Sequence, residues 1–139
     1  MCGRYVSATP AQQLAEEFGV DEVKAELPAR FNVAPTLDVY AVAPAKSSGV
    51  RQLGTFRWGL VPSWAADPSV GNRMINARAE TLATKPAFKR ILGRRRCIIP
   101  ADGFYEWQRK GDAVAGPRGG AGKVPKQPFF IRRTDGRSL

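Results

Sequence analysis

The apolar residues of this sequence are gathered into short runs closed by proline or glycine, a pattern that favours brief strands over long helices. Asp38 to Ala43 is apolar, β-branched and aromatic, and Gln52 to Val61 is a second run of the same kind. Arg96 to Ile99 and Gly103 to Trp107 are two further strand candidates, separated by Pro100-Ala101-Asp102, which should bend the chain. Gln127 to Arg133 is the last, with Phe129, Phe130 and Ile131 as its core. Two short helices are expected as well. In the first, Thr9 stands as N-cap, Pro10 at the first helical position and Gln12 at the reciprocal capping-box position; Leu14, Ala15 and Phe18 share a face, and Gly19 is placed to end it. The second runs from about Pro86 to Leu92, between Thr84 and Gly93. Lys110 to Lys126, rich in Gly and Lys/Arg, reads as a flexible surface loop or hairpin tip. Several short strands with two small helices make an α+β fold, and 139 residues suffice for one domain, residues 1–139, but not for two independent ones. Thr134-Asp135-Gly136-Arg137 looks like a turn leading into a partner strand, yet the sequence stops at Leu139, so a chain cut short is expected.

Composition removes several classes. No apolar run approaches the roughly 20 residues of a bilayer span, and Met1 to Pro10 lacks the basic-then-apolar layout of a secretory signal. A cytoplasmic protein is expected. With two cysteines, Cys2 and Cys97, and no histidine, neither a disulfide framework nor a Cys/His zinc site can be assembled from one chain, so no metal and no cofactor are expected. The charge is the first positive sign. Residues 1–84 hold 8 basic and 8 acidic side chains, whereas residues 85–139 hold 14 basic and 4 acidic, so the second part carries the whole net charge of +10. Of the 22 basic residues 15 are Arg, whose planar fork donates two parallel hydrogen bonds to a phosphate. Nucleic acid is the favoured partner, a well-solvated surface being the alternative.

Cys2 is the most informative residue. Once the initiator Met1 is removed, Cys2 bears a free amine beside its thiol, with reference pKa values of about 7.7–8.0 and about 8.5. An aldehyde is captured by such an amine as a Schiff base, and the neighbouring sulfur then closes a five-membered thiazolidine; no internal cysteine can do this. An inert second-position cysteine is the plainer reading. Asn76 and Arg78 share a face if their segment is extended, pairing an amide that orients a nucleophile with a guanidinium that holds a phosphate, although a turn Asn and a solvated Arg fit the sequence too. Glu106 lies among Phe104, Tyr105 and Trp107, a setting expected to desolvate its carboxylate, raise its pKa and make it both acid and base, unless it lies on the wet side of its strand. Of the aromatics, Trp64 in Pro62-Ser63-Trp64-Ala65 is the one expected to be exposed for base stacking. Arg94-Arg95-Arg96 fits a phosphate contact and a solvated charge run equally.

Five ordered blocks resemble the SOS response-associated peptidase (SRAP) family: Met1-Cys2-Gly3-Arg4-Tyr5, Arg30 to Pro35, Arg57 to Trp64, Ile75 to Thr81, and Arg96 to Trp107. The resemblance implies a mostly antiparallel, barrel-like sheet with a few short helices. It also implies that Met1 is removed, autocatalytically or by an aminopeptidase, and that Cys2 then traps abasic sites in single-stranded DNA as a thiazolidine DNA–protein crosslink, shielding the lesion during the DNA damage response. By the same resemblance Cys2 is the crosslinking residue, Asn76 the amide that orients its amine and Glu106 the acid/base; Arg4 and Arg78 contact phosphate or pocket, Pro35 and Trp64 border the DNA, and the protein acts as a monomer. Ala65 stands where some relatives have a second Trp, so stacking should be weaker. The family's catalytic histidine, in its C-terminal part, has no counterpart here, which puts the histidine-assisted proton steps in doubt and agrees with a shortened chain. Two other readings stand beside this one. One is a noncovalent single-stranded nucleic-acid binding module. The other is an N-terminal nucleophile amidohydrolase, which also begins Met-Cys-Gly but needs a longer chain and further motifs.

Overall fold

Two small sheets share the strands of the computed structural model, which describes residues 2–109, 111 and 125–139. Most of the loop expected over Lys110 to Lys126 lies outside the described residues. In chain order the elements are β1 (Tyr5–Ser7), α1 (Ala11–Phe18), β2 (Glu22–Val23), β3 (Arg30–Val33), β4 (Asp38–Pro44) and β5 (Arg51–Arg57). Two 3-10 turns (Pro68–Arg73 and Ala79–Thr81), α2 (Pro86–Lys89), β6 (Gly103–Arg109) and β7 (Lys126–Ile131) complete the order. The first sheet has the order β3-β1-β6-β7 and is antiparallel throughout; the second has the order β2-β5-β4, with β2 parallel to β5. The fold is α+β and mostly antiparallel, as expected, with the two sheets open rather than closed into one barrel. Among the described residues no helix is long and apolar enough to cross a membrane.

β4 divides the interior. Period-two alternation sends Tyr40 and Val42 to one side, where they meet Ala11 and Leu14 of α1 and Leu53 of β5. It sends Val39 to the other, where Val39 packs with Tyr5 and Val33 beneath Trp58, Ala101 and Phe104. Tyr40 is buried only because its hydroxyl is satisfied, accepting from the Leu27 N–H at 2.6 Å. β4 and β5 are in unbroken register from Asp38 opposite Arg57 to Pro44 opposite Arg51.

Several local expectations need correcting. Thr9 does not cap α1. Its hydroxyl donates to the Asp102 carboxylate, which also accepts from the Ala8 and Thr9 N–H groups, and Pro10 takes the cap position, its carbonyl accepting from Leu14 at 3.0 Å. Gly19 does end the helix, in the left-handed conformation that a glycine adopts without strain. α2 is a single turn whose residues are not buried, so no packed face prolongs it, and turns carry the chain on to Gly93. Within Arg96 to Ile99 only Ile98 pairs, in an isolated bridge with Val42. β5 stops at Arg57, short of Val61. Phe129, Phe130 and Ile131 are not a core: β7 is the outer strand of its sheet, and these side chains are 47%, 45% and 42% exposed. After the turn at Asp135 and Gly136 the chain comes back to α1, where the Ser138 N–H and hydroxyl both donate to Glu17.

Candidate active site and groove

Residues 74 positions apart meet at the start of the chain. The Asn76 side-chain amide donates to the Cys2 carbonyl at 2.8 Å. Each partner is carried there by its own construction. Cys2 precedes β1, which is clamped between β3 and β6 with Tyr5 opposite Val33 on one side and Phe104 on the other. The Tyr5 ring meets Trp58 edge-on at 5.5 Å between centroids. Trp58 in turn donates its indole N–H to the Ile75 carbonyl at 3.1 Å, and the Leu60 N–H reaches the Met74 carbonyl at 3.0 Å. The two segments can lie this close only because Gly59, at φ 132°, faces Gly71: a Cβ on Gly59 would sit 2.5 Å from the Gly71 carbonyl oxygen. Asn76 is thus presented by a braced segment rather than by a free loop.

Glu106 enters from β6. The Tyr105 N–H bonds the Arg4 carbonyl at 2.9 Å, and one further step along the Tyr5–Phe104 register sets Glu106 opposite Gly3, next to Cys2. Its carboxyl is held below the usual carboxylate range, first by a hydrogen bond from the amino group at the start of the chain, with that group's charge and a Trp107 backbone hydrogen bond acting in the same direction and desolvation opposing. The expectation of a raised pKa is therefore wrong: the flanking rings do not desolvate the carboxylate enough to outweigh a nearby cation. At neutral pH Glu106 is therefore a carboxylate.

Cys2, Tyr5, Asn76, Trp58 and Trp64 all line one groove of about 1440 Å³. Trp64 is 68% exposed, as its loop setting predicts. Tyr5 is buried, its hydroxyl has no hydrogen-bond partner among the described residues, and its pKa is pushed up to about 12 by burial, against an opposing effect of Arg30. Cys97 also lines the groove, its thiol pKa raised by burial. Among the described residues no three His, Cys, Asp or Glu side chains gather where a metal ion could be held.

Across its whole length, residues 1–139, the sequence matches the profile of the SOS response associated peptidase (SRAP) family. The chain belongs to this family. It is 46% identical over 111 residues to the abasic site processing protein YoaM of Bacillus subtilis, covering 78% of this chain and 48% of the relative. It is 34% identical to the abasic site processing protein YedK of Escherichia coli, covering 100% and 57%. With the abasic site processing protein HMCES of Rattus norvegicus the identity is 43% over 88 residues, covering 60% and 22%. The chain therefore spans about half the length of the bacterial relatives it matches. A protein of solved structure from Bacteroides thetaiotaomicron shares the fold with a TM-score of 0.73 at 24% identity, covering 96% of this chain and 55% of that one. A phage-related protein from Bordetella bronchiseptica does so with a TM-score of 0.68 at 27% identity, covering 94% and 55%.

In this SRAP chain the site residues expected from sequence separate into two groups. Cys2, Asn76 and Trp64 face the groove together, and Glu106 adjoins Cys2 along the ladder. Arg4, Arg78 and Pro35 do not line the groove. The Arg4 guanidinium donates to the Asn32 side chain at 3.2 Å. Arg78 is exposed and leads into the second 3-10 turn, its carbonyl accepting from Thr81, so the two-residue spacing does not bring it beside Asn76 in the groove. Pro35 is half-buried and precedes Thr36, a β-branched residue at φ 78° whose N–H reaches the Trp58 carbonyl. Left-handed geometry at such a residue costs about 1–3 kcal/mol, which the surrounding contacts must offset. Trp58, Gly59 and Gly71 were not foreseen as the brace of the site. The signal was a glycine inside an apolar strand-like run, which marks a close backbone approach.

Proposed function

We propose that this protein captures abasic sites in single-stranded DNA through Cys2 after Met1 is removed, and that its relatives' description as abasic site processing proteins reflects the same chemistry. The hydrogen bond from Asn76 to the Cys2 carbonyl carries the reading, because an inert second-position cysteine needs no remote amide to fix it. The freed amine adds to the aldehyde of the ring-opened sugar and water leaves, giving an imine. The Cys2 thiol then adds across the imine, its sulfur bonding the carbon and its proton ending on nitrogen, so aldehyde and aminothiol give thiazolidine plus water. Glu106, charged and adjoining Cys2, accepts the proton that the ammonium must lose before attack and returns one to the departing hydroxyl. Trp64 stacks on a base, Pro35 borders the strand, and Arg4 and Arg78 hold flanking phosphates. Removal of Met1 by the chain itself would account for the family's peptidase description. The protein works as a monomer in the cytoplasm.

A denaturing gel with an oligonucleotide carrying one abasic site tests this. A shifted band is expected with the lesion and not with intact DNA, and it should vanish in Cys2→Ala. Glu106→Gln should slow the band's appearance while leaving noncovalent DNA binding in place. Capture by molecules that all retain Met1, as read by intact mass, overturns the proposal. Salt-sensitive binding of both oligonucleotides without any shifted band leaves only the noncovalent module.

A further inference from the structure

The groove carries its own cations, among them Lys89 and Arg94 to Arg96. A second surface of rings and cations lies outside it, on one face of the β6–β7 ladder. Register decides its make-up. Tyr105 stands opposite Phe130, Trp107 opposite Pro128 and Arg109 opposite Lys126, and alternation along both strands puts these three pairs on one face. The intervening pairs, Glu106 with Phe129 and Gln108 with Gln127, point to the other face. Arg4 joins the row beside Tyr105, whose N–H bonds the Arg4 carbonyl. None of Arg4, Tyr105, Trp107, Arg109, Lys126 and Phe130 lines the groove. A Cβ on Gly103 would sit 2.5 Å from the Phe130 ring, so a glycine there is what lets the ring lie against the sheet, 5.2 Å from Tyr105 between centroids. Its outer side stays open, Phe130 being 45% and Trp107 44% exposed. Arg109 and Lys126 are exposed too, and neither forms an ion pair or side-chain hydrogen bond with a described residue. Like charges directly opposite one another weaken a ladder, and an anion set between them turns that repulsion into attraction.

This ledge begins beside the reacting residue. Counting on from Tyr5 opposite Phe104, Arg4 falls opposite Tyr105 and Cys2 comes level with Trp107. Arg109 and Lys126 lie two residues farther out, about 7 Å at about 3.4 Å per residue. A strand leaving Cys2 over this face meets the rings first and the cations next. Rings that stack bases beside cations that hold a backbone are the chemistry of single-stranded nucleic acid. An acidic peptide has no use for the flat rings, and a second copy of the chain would bring its own cations against these. We propose that the outer face of the β6–β7 ladder is a second seat for single-stranded nucleic acid, separate from the groove, with Trp107 and Phe130 stacking bases and Arg109 and Lys126 holding phosphates. The proposal rests on the single-stranded DNA reading above and adds a surface to it.

Its test uses a labelled single-stranded oligonucleotide without an abasic site and the Cys2→Ala protein, with binding followed by anisotropy. Trp107→Ala should weaken binding about 5-fold or more, the loss of one stacked base, and Trp107→Phe, which keeps a ring, should restore most of it. Arg109→Gln with Lys126→Gln should lower the slope of log K against log salt by about 1.4, at about 0.7 per phosphate contact on a single strand. Lys24→Gln with Arg133→Gln removes the same charge from exposed positions off the ledge and should leave that slope in place. A 4-thiothymidine carried through the oligonucleotide should photocrosslink to β6 or β7. Unchanged binding in Trp107→Ala, equal slope losses in the two charge pairs, or photocrosslinks confined to the groove would each overturn the second seat. Displacement by polyglutamate as effective as by DNA would overturn it as well, and would mark the face as a site for acidic protein. The oligonucleotide has no aldehyde, so this surface and covalent capture by Cys2 can fail separately.

Discussion

On the α1 side of β4, Tyr40 and Val42 are sealed beneath Ala11, Leu14 and Leu53, and nearby acids are engaged: Glu17 by Ser138, Asp21 by the Arg51 N–H, Glu22 by Lys24 and Gln52. On the Val39 side the packing is looser and the polar groups are unsettled. Phe56 stays exposed, and among the described residues the Tyr5 hydroxyl finds no hydrogen-bond partner and the groove cations find no ion-pair partner. One strand thus serves two environments that use the same physics differently. Burial and pairing are completed where they hold the fold, and left incomplete where a ligand would complete them.

The sharpest way to break this contrast uses two residues on one strand. Leu53 is 0% exposed and Phe56 is 54% exposed. Leu53→Ala is expected to cost about 2–5 kcal/mol in denaturant unfolding, as a large-to-small change in a sealed core. Phe56→Ala should cost under about 1 kcal/mol in the same experiment while weakening binding to single-stranded DNA by about 1–3 kcal/mol. Similar stability losses at both positions would mean that the groove floor is core after all.

Gly59→Ala probes the brace between the two regions. The added methyl meets the Gly71 carbonyl at 2.5 Å in a backbone conformation that only glycine adopts easily. A loss of about 1–3 kcal/mol is expected. Because Leu60 and Trp58 hold the segment that carries Asn76, capture of abasic DNA by the molecules still folded should slow as well. Unchanged capture alongside reduced stability would show that Asn76 does not depend on the brace.

Tyr5→Phe should move the other way. Removing a buried hydroxyl that finds no partner among the described residues is expected to stabilise the free protein by about 1 kcal/mol, read as a higher denaturant midpoint at unchanged slope. Destabilisation instead would reveal a partner for the hydroxyl and place Tyr5 with the completed half of the molecule.

The difference between the two sides also governs what could be read from sequence. The start of α1 within a residue of Pro10, its apolar face and its end at Gly19 follow from local rules, and β4 and β5 from short β-branched runs, because neighbours along the chain decide them. β1, β2 and β3 were not foreseen, since each has 4 residues or fewer and exists by pairing with distant strands. At the site, the family resemblance assigned Asn76 and Cys2 their roles, but the contact between them depends on Trp58 and Gly59, which composition near either residue does not reveal. Glu106 misled for a related reason: its aromatic neighbours are adjacent in sequence, whereas the charge that sets its protonation arrives from the other end of the fold. Thr9 was misread as a cap because Asp102, 93 residues away, claims its hydroxyl.

The smallest expected effect bears on that carboxylate. A carboxyl whose pKa is lower in the folded chain than in the unfolded one adds stability that is fully present above the unfolded value, about 4.3 for Glu, and is lost as pH falls through the folded value below it. In protein retaining Met1, the stability gap between wild type and Glu106→Gln should therefore stay constant from neutral pH down to about 4.3 and close only in more acid solution. A gap that already narrows between pH 7 and about 5 would require a raised pKa, and with it the desolvated acid that the aromatic flanks first implied. Glu106 would then start the reaction as a proton donor.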